Sequence, residues 1–151
     1  MTDRTRRWLR AMLMLGVVGT WLVTGKGVQA QGPGVTSEVL ARGQADYAEV
    51  IGGPAEVIVA VVTLEPGASI GWHRHAGPVT GVVTRGELTW YGADGCPTVY
   101  PAGAAAFVAP DQVHDERNEG TEPLELVVTY VVPAGSPLRL EATAPAAPCP
   151  R

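Results

Sequence analysis

Lysine is almost missing from this chain of 151 residues: its single lysine, Lys26, lies within the first thirty positions. Beyond residue 30 stand six basic and 14 acidic residues, a net charge of −8. No basic stripe remains to track a phosphate backbone or an anionic lipid surface, which excludes nucleic acid and membranes as expected partners of the mature protein. Helical periodicity is also lacking after residue 30, where no window repeats its apolar residues every three to four positions. Cysteine is scarce. Cys96 and Cys149 are too far apart for a zinc-binding pair. In an oxidising compartment they would form one bridge between the tail and a mid-chain loop; a free pair is the alternative. The length suffices for one core and not comfortably for two.

The first thirty residues read apart from the rest. Arg4, Arg6, Arg7 and Arg10 precede an apolar run, Ala11–Val23, and small residues follow at Val28 and Ala30. This is the anatomy of a cleaved secretion signal, so export to the periplasm or beyond is expected. The paired arginines in "TRRWLRA" also suit the twin-arginine route, although the downstream residues match that signal poorly. A retained anchor is the alternative, but the run falls short of the roughly 20 residues that span a bilayer. The expected organisation is a signal over 1–30, one domain over 31–141 and a Pro/Ala-rich tail over 142–151.

From Val35 onward, short apolar runs are broken by glycine and proline every eight to twelve residues. Strands are predicted at Val57–Leu64, Ser69–Arg74, Val79–Thr84, Glu87–Tyr91, Thr98–Tyr100, Ala105–Ala109, Val113–Asn118 and Leu124–Val132, with a turn at Arg85-Gly86. In the last strand Leu124, Leu126, Val128, Tyr130 and Val132 share one face. The fold class is all-β, a sandwich or barrel.

The chain has three histidines, and two stand as H-x-H in "GWHRHAG". Alternation along a strand points His73 and His75 to one face and Arg74 to the other. Two imidazoles about 7 Å apart on a curved strand can converge on one ion. The third ligand must then be His114, in "APDQVHDERN". Three unrelated surface or core histidines are the plainer reading.

These segments together resemble the cupins. "G67-ASIGW-H73-R-H75" with the later Gly86 is similar to the first cupin motif, and "G103-AAAFVAPDQV-H114-DER-N118" to the second. The resemblance implies a small conserved β-barrel of jelly-roll type with the histidines in its mouth, and pairing of two such barrels into a homodimer. It also implies a glutamate four residues after His75, where this chain has Val79, which shares the parity of both histidines. The second motif's proline and glycine fall at Ala109 and Asp111, with Pro110 still available for a turn.

Three neutral imidazoles leave the ion its full +2 charge, which draws anionic ligands. They suit zinc, iron, copper or nickel rather than magnesium or calcium. Loss of the glutamate leaves weak binding, or none, as the alternative. Asn118 is expected to bond backbone or to orient His114. Trp72 and Trp90 are weaker pocket candidates that more often pack, as are the hydroxyls of Tyr100 and Tyr130. No nucleophile–base arrangement is visible, and the inward positions Val79, Gly81 and Val83 offer no group to move protons. The expected protein is therefore an exported metal-binding cupin that takes a small-molecule ligand, its activity undetermined. A metal-dependent oxygenase or hydrolase acting on a small anionic substrate is the alternative.

Overall fold

The computed structural model describes residues 28–46, 51–146 and 149. The expected signal lies outside the described residues up to position 27; its boundary at residue 30 falls within the first strand. Eleven strands run through the described chain: β1 Val28–Gly32, β2 Val35–Asp46, β3 Pro54–Leu64, β4 His73–Arg74, β5 Val79–Arg85, β6 Glu87–Tyr91, β7 Pro97–Pro101, β8 Ala105–Val108, β9 Asp115–Arg117, β10 Leu124–Pro133 and β11 Leu140–Glu141. They form a six-stranded sheet ordered β1-β2-β3-β10-β5-β8, a three-stranded sheet β7-β6-β9 and a two-stranded ladder β11-β4. No helix among the described residues is long and apolar enough to cross a membrane.

The large sheet is built around its most apolar segments. The run "VIVAVVTL" of β3 lies between β2 and β10, where β-branched side chains suit a pleated, half-buried surface. In β10 the alternation holds throughout: Leu124, Leu126, Val128, Tyr130 and Val132 are buried and the intervening residues half-exposed. Register aligns Tyr130 with Ile58 on one side and Val79 on the other, which sets Val79 on the inner face. Leu88 of β6 joins the same buried cluster, so the two larger sheets share one core.

The expected closed barrel does not form. The chain turns sharply where it leaves the large sheet, and the ladders end there instead of joining into a ring. At Gly86 (φ +75°) a side chain would bring a Cβ to 2.7 Å from the Pro123 carbonyl oxygen. Only glycine fits this corner. The predicted Arg85-Gly86 turn therefore connects two sheets and not the two strands of a hairpin: β5 pairs with β10 and β8, β6 with β7 and β9.

Three further differences have local causes. The predicted strand Ser69–Arg74 shrinks to His73–Arg74, preceded by a single bridge from Ser69 to Arg117, because Gly71 (φ +85°) breaks the extended run. The segment Val113–Asn118 keeps ladder pairing over Asp115–Arg117. Strand β2 has no apolar alternation beyond Val39 to mark it; it is held by backbone pairing along β3, from Val35 opposite Leu64 to Asp46 opposite Pro54. At the second motif's turn, Asp111 takes the left-handed conformation (φ 58°) in place of the family's glycine, a conformation aspartate tolerates better than most residues.

Cys96, in the turn between β6 and β7, is bonded to Cys149. The bridge closes a sequence separation of 53 residues, a loop-closure entropy of about 4 kcal/mol, reduced by any native strain. Reduction, or the Cys96→Ser/Cys149→Ser variant, should lower unfolding stability in urea toward that extent. A loss under about 1 kcal/mol would show that the tether contributes little.

Candidate metal centre

Backbone pairing across the two motifs makes the site. His73 and His114 face each other as a hydrogen-bonded antiparallel pair: His73 N donates to the His114 carbonyl and His114 N to that of His73, both at 2.9 Å. Directly opposed residues project to the same face, so the two rings meet with centroids 4.2 Å apart. His75, two residues on, has its backbone carbonyl held by the Asp111 N–H at 2.9 Å. Its ring lies 4.8 Å from that of His73 and 5.1 Å from that of His114. All three side chains are buried, and each brings one ring nitrogen to within 4.8 Å of the others.

Which nitrogens converge is fixed by a second set of contacts. Nδ1 of His73 bonds the Gly71 carbonyl at 2.7 Å, Nδ1 of His114 bonds that of Gln112 at 2.8 Å, and Nδ1 of His75 bonds that of Leu138. A carbonyl only accepts, so each Nδ1 carries the proton and each Nε2 presents a lone pair to the centre. This is the arrangement by which histidines are orientated for a metal ion. Gly71 is in turn held by Asp115, whose buried carboxylate accepts the Gly71 N–H at 2.9 Å, the Ser69 hydroxyl at 2.9 Å and Arg117 Nε–H at 2.7 Å.

Burial pushes the His73 and His75 pKa values down, that of His75 to about 4, so both rings are neutral near pH 7 and ready to ligate. For His114 burial also disfavours the charged form, but the neighbouring Glu116 carboxylate outweighs it and the net shift is upward. Glu116 was not anticipated. Its Oε1 lies 3.3 Å from His114 Nε2 and its Oε2 3.5 Å from His73 Nε2. Burial opposes its charge, yet the three imidazoles, His114 foremost, hold its carboxyl at about 2. The signal for it was in the sequence: two residues after His114 on a strand is the same face.

The cavity beside these residues has a volume of about 30 Å³ and is also lined by Val79, Tyr130 and Arg139. Val79 is buried on its wall. Tyr130 stands edge-on to His75 at 5.5 Å, and Trp90 stacks on His114 at 6.1 Å. Neither Trp90 nor Trp72 lines this cavity. Asn118 does not orient His114: its amide donates to the carbonyls of Leu64 and Glu122 and accepts the Gly120 N–H, pinning the loop after β9 to the end of β3. The inner wall is less apolar than Val79, Gly81 and Val83 imply, because Glu116, Tyr130 and Arg139 reach it from other strands and from the segment after β10.

Three convergent lone pairs, with His114 Nε2 buried and without a partner, fit a cation of the transition series. Fold and site thus define a small β protein with a three-histidine cluster suited to a metal ion. Residues 60–130 match the family model described as Cupin domain. Among solved structures, the chain is similar to an uncharacterized conserved protein with a double-stranded beta-helix domain from Klebsiella pneumoniae, at 26% identity and TM-score 0.59 over 77% of this chain and 91% of that one. It is also similar to an RmlC-like cupin from Shewanella frigidimarina, at 19% identity and TM-score 0.54 over 73% and 86%. No curated protein matches. Residues 60–130, just under half of the chain, are thus similar to a cupin domain, and the solved neighbours share a similar β fold.

Removing Asp115 should loosen the support of His73. Asp115→Ala leaves the Arg117 Nε–H without its acceptor and the Gly71 N–H with only the Ser69 hydroxyl oxygen at 3.0 Å, and is expected to cost about 2–4 kcal/mol in urea unfolding. A cost below about 1 kcal/mol would show that Gly71 is held by other means.

Proposed function

We propose that this is an exported cupin-domain protein in which His73, His75 and His114 hold one divalent transition ion. The observation that carries this reading is the triple Nδ1 anchoring, which leaves three Nε2 lone pairs pointing at one buried spot. Three buried histidines whose Nδ1 atoms are all held by carbonyls, and of which the His114 Nε2 lacks a hydrogen-bond partner, have no packing purpose that a leucine would not serve better. Nitrogen ligation favours zinc, iron, copper or nickel. Export is supported by the Cys96–Cys149 bridge, since such bonds persist in oxidising compartments.

A second reading, catalysis on a small anion by oxygenation or hydrolysis, draws on Arg139. Its side chain lines the cavity, and its Nε is buried without a partner while its terminal nitrogens reach Glu141. A cation at the rim suits a carboxylate or thiolate ligand. The cavity, of about 30 Å³, is small, so a larger ligand requires the Leu138–Arg139 segment to move.

Elemental analysis of the purified protein tests the first reading. About one ion per chain is expected, falling to background in His73→Ala/His75→Ala; less than about 0.1 per chain after reconstitution removes the metal altogether. Oxygen uptake with thiols and phenols separates an enzyme from a binding protein.

A further inference from the structure

We infer that Glu116 is the fourth protein ligand of the centre: the acid missing from Val79 on β5 has been replaced by one on β9, across the cavity. The inference rests on the metal reading above and adds a residue, a charge and a metal preference to it.

The distances fit. Ligands about 2.0–2.2 Å from a tetrahedral ion stand about 3.3–3.5 Å from one another. Glu116 lies 3.3 Å from His114 Nε2 and 3.5 Å from His73 Nε2, one oxygen to each. At these separations a carboxylate and two imidazole lone pairs are all acceptors, and acceptors repel unless a cation stands between them. Glu116 Oε2 and His114 Nε2 are both buried and lack hydrogen-bond partners. A buried carboxylate with no cation costs several kcal/mol. The nearest guanidinium facing the cavity, Arg139, gives its terminal nitrogens to Glu141. An ion among His73, His114 and Glu116 satisfies every one of these atoms at once.

The backbone explains why this position serves. His114 is opposite His73 in the antiparallel pair, and Glu116 follows His114 on the same face. Thr89, Trp90 and Tyr91 of β6 pair with Arg117, Glu116 and Asp115, which holds the strand in register. Val79 lies on the opposite wall among Leu126, Val128 and Tyr130. Val79 thus reaches the cavity from the large sheet, whereas Glu116 stands directly beside two imidazoles. With Glu116 bound, the centre carries +1 rather than +2, and its three nitrogens and one oxygen admit harder ions, manganese included, that an all-nitrogen set disfavours.

Titration of the full chain with Co(II), read by competition with a chelator and by the visible spectrum, tests the assignment. Glu116→Gln keeps the shape and removes the charge. It should still unfold cooperatively without metal but bind Co(II) about 100-fold more weakly, with an altered visible spectrum. Val79→Glu added to Glu116→Gln should recover about tenfold or more of the loss, since it returns an acid to the cavity wall. Should Glu116→Gln not fold, Glu116→Asp, which keeps the charge and withdraws the oxygens by one methylene, carries the same comparison. Binding by Glu116→Gln within about threefold of wild type, with an unchanged spectrum, overturns the assignment and leaves Glu116 as the partner of a proton on His114. Wild-type protein that takes up no Co(II) instead overturns the metal reading on which it rests.

Discussion

The reciprocal backbone pair between His73 and His114 is the contact on which the centre depends. It joins two segments about forty residues apart in sequence, and it does so through main-chain groups that no side-chain substitution removes. Direct opposition places both rings on one face, and the period of two then carries His75 and Glu116 to the same place. Four polar side chains enter one buried spot because a single antiparallel pairing has put their two strands in register.

Burying polar groups in this way is tolerable only when each has a partner, and the fold supplies partners from scattered sources. Gly71, Gln112 and Leu138 give carbonyls to the three Nδ1 atoms. Asp115 secures Gly71, whose left-handed backbone turns the chain out of its strand just before His73. Leu138 comes from the segment after β10, which then pairs as β11 with β4, places the Ala142 N–H on the Trp72 carbonyl and runs on to the Cys149–Cys96 bond. The C-terminal chain is therefore a structural part of the centre and not an appendage to it. Its tether to the β6–β7 turn limits how far Leu138 and Arg139 can withdraw from the cavity.

Much of this was legible in the residues. The alternation of β10 and the β-branched run of β3 identify strands because period two and apolar density are local properties. The H-x-H spacing, with one further histidine before an asparagine, indicates the cluster for the same reason. What could not be read is non-local. Strand β2 is held by backbone pairing to β3 and shows no pattern beyond Val39. The corner at Gly86 depends on the Pro123 carbonyl, nearly forty residues away. Leu138 and Arg139 reach the cavity only because β10 crosses the sheet and returns. Glu116 is a different case, because its signal is local: the same-face rule that joins His73 and His75 applies equally to His114 and Glu116, two residues apart.

The two walls of the cavity now differ in kind. His73, His75, His114 and Glu116 gather on the side of β4 and β9, while Val79, Leu126 and Val128 form the side of β5 and β10. A carboxylate at position 79 would stand among Leu126, Val128 and Tyr130 and would be desolvated to reach the imidazoles. On the polar wall the same group sits between two rings that are already desolvated and aligned, so little further desolvation is needed. Moving the acid therefore keeps a carboxylate beside the imidazoles and leaves the opposite wall free of charge.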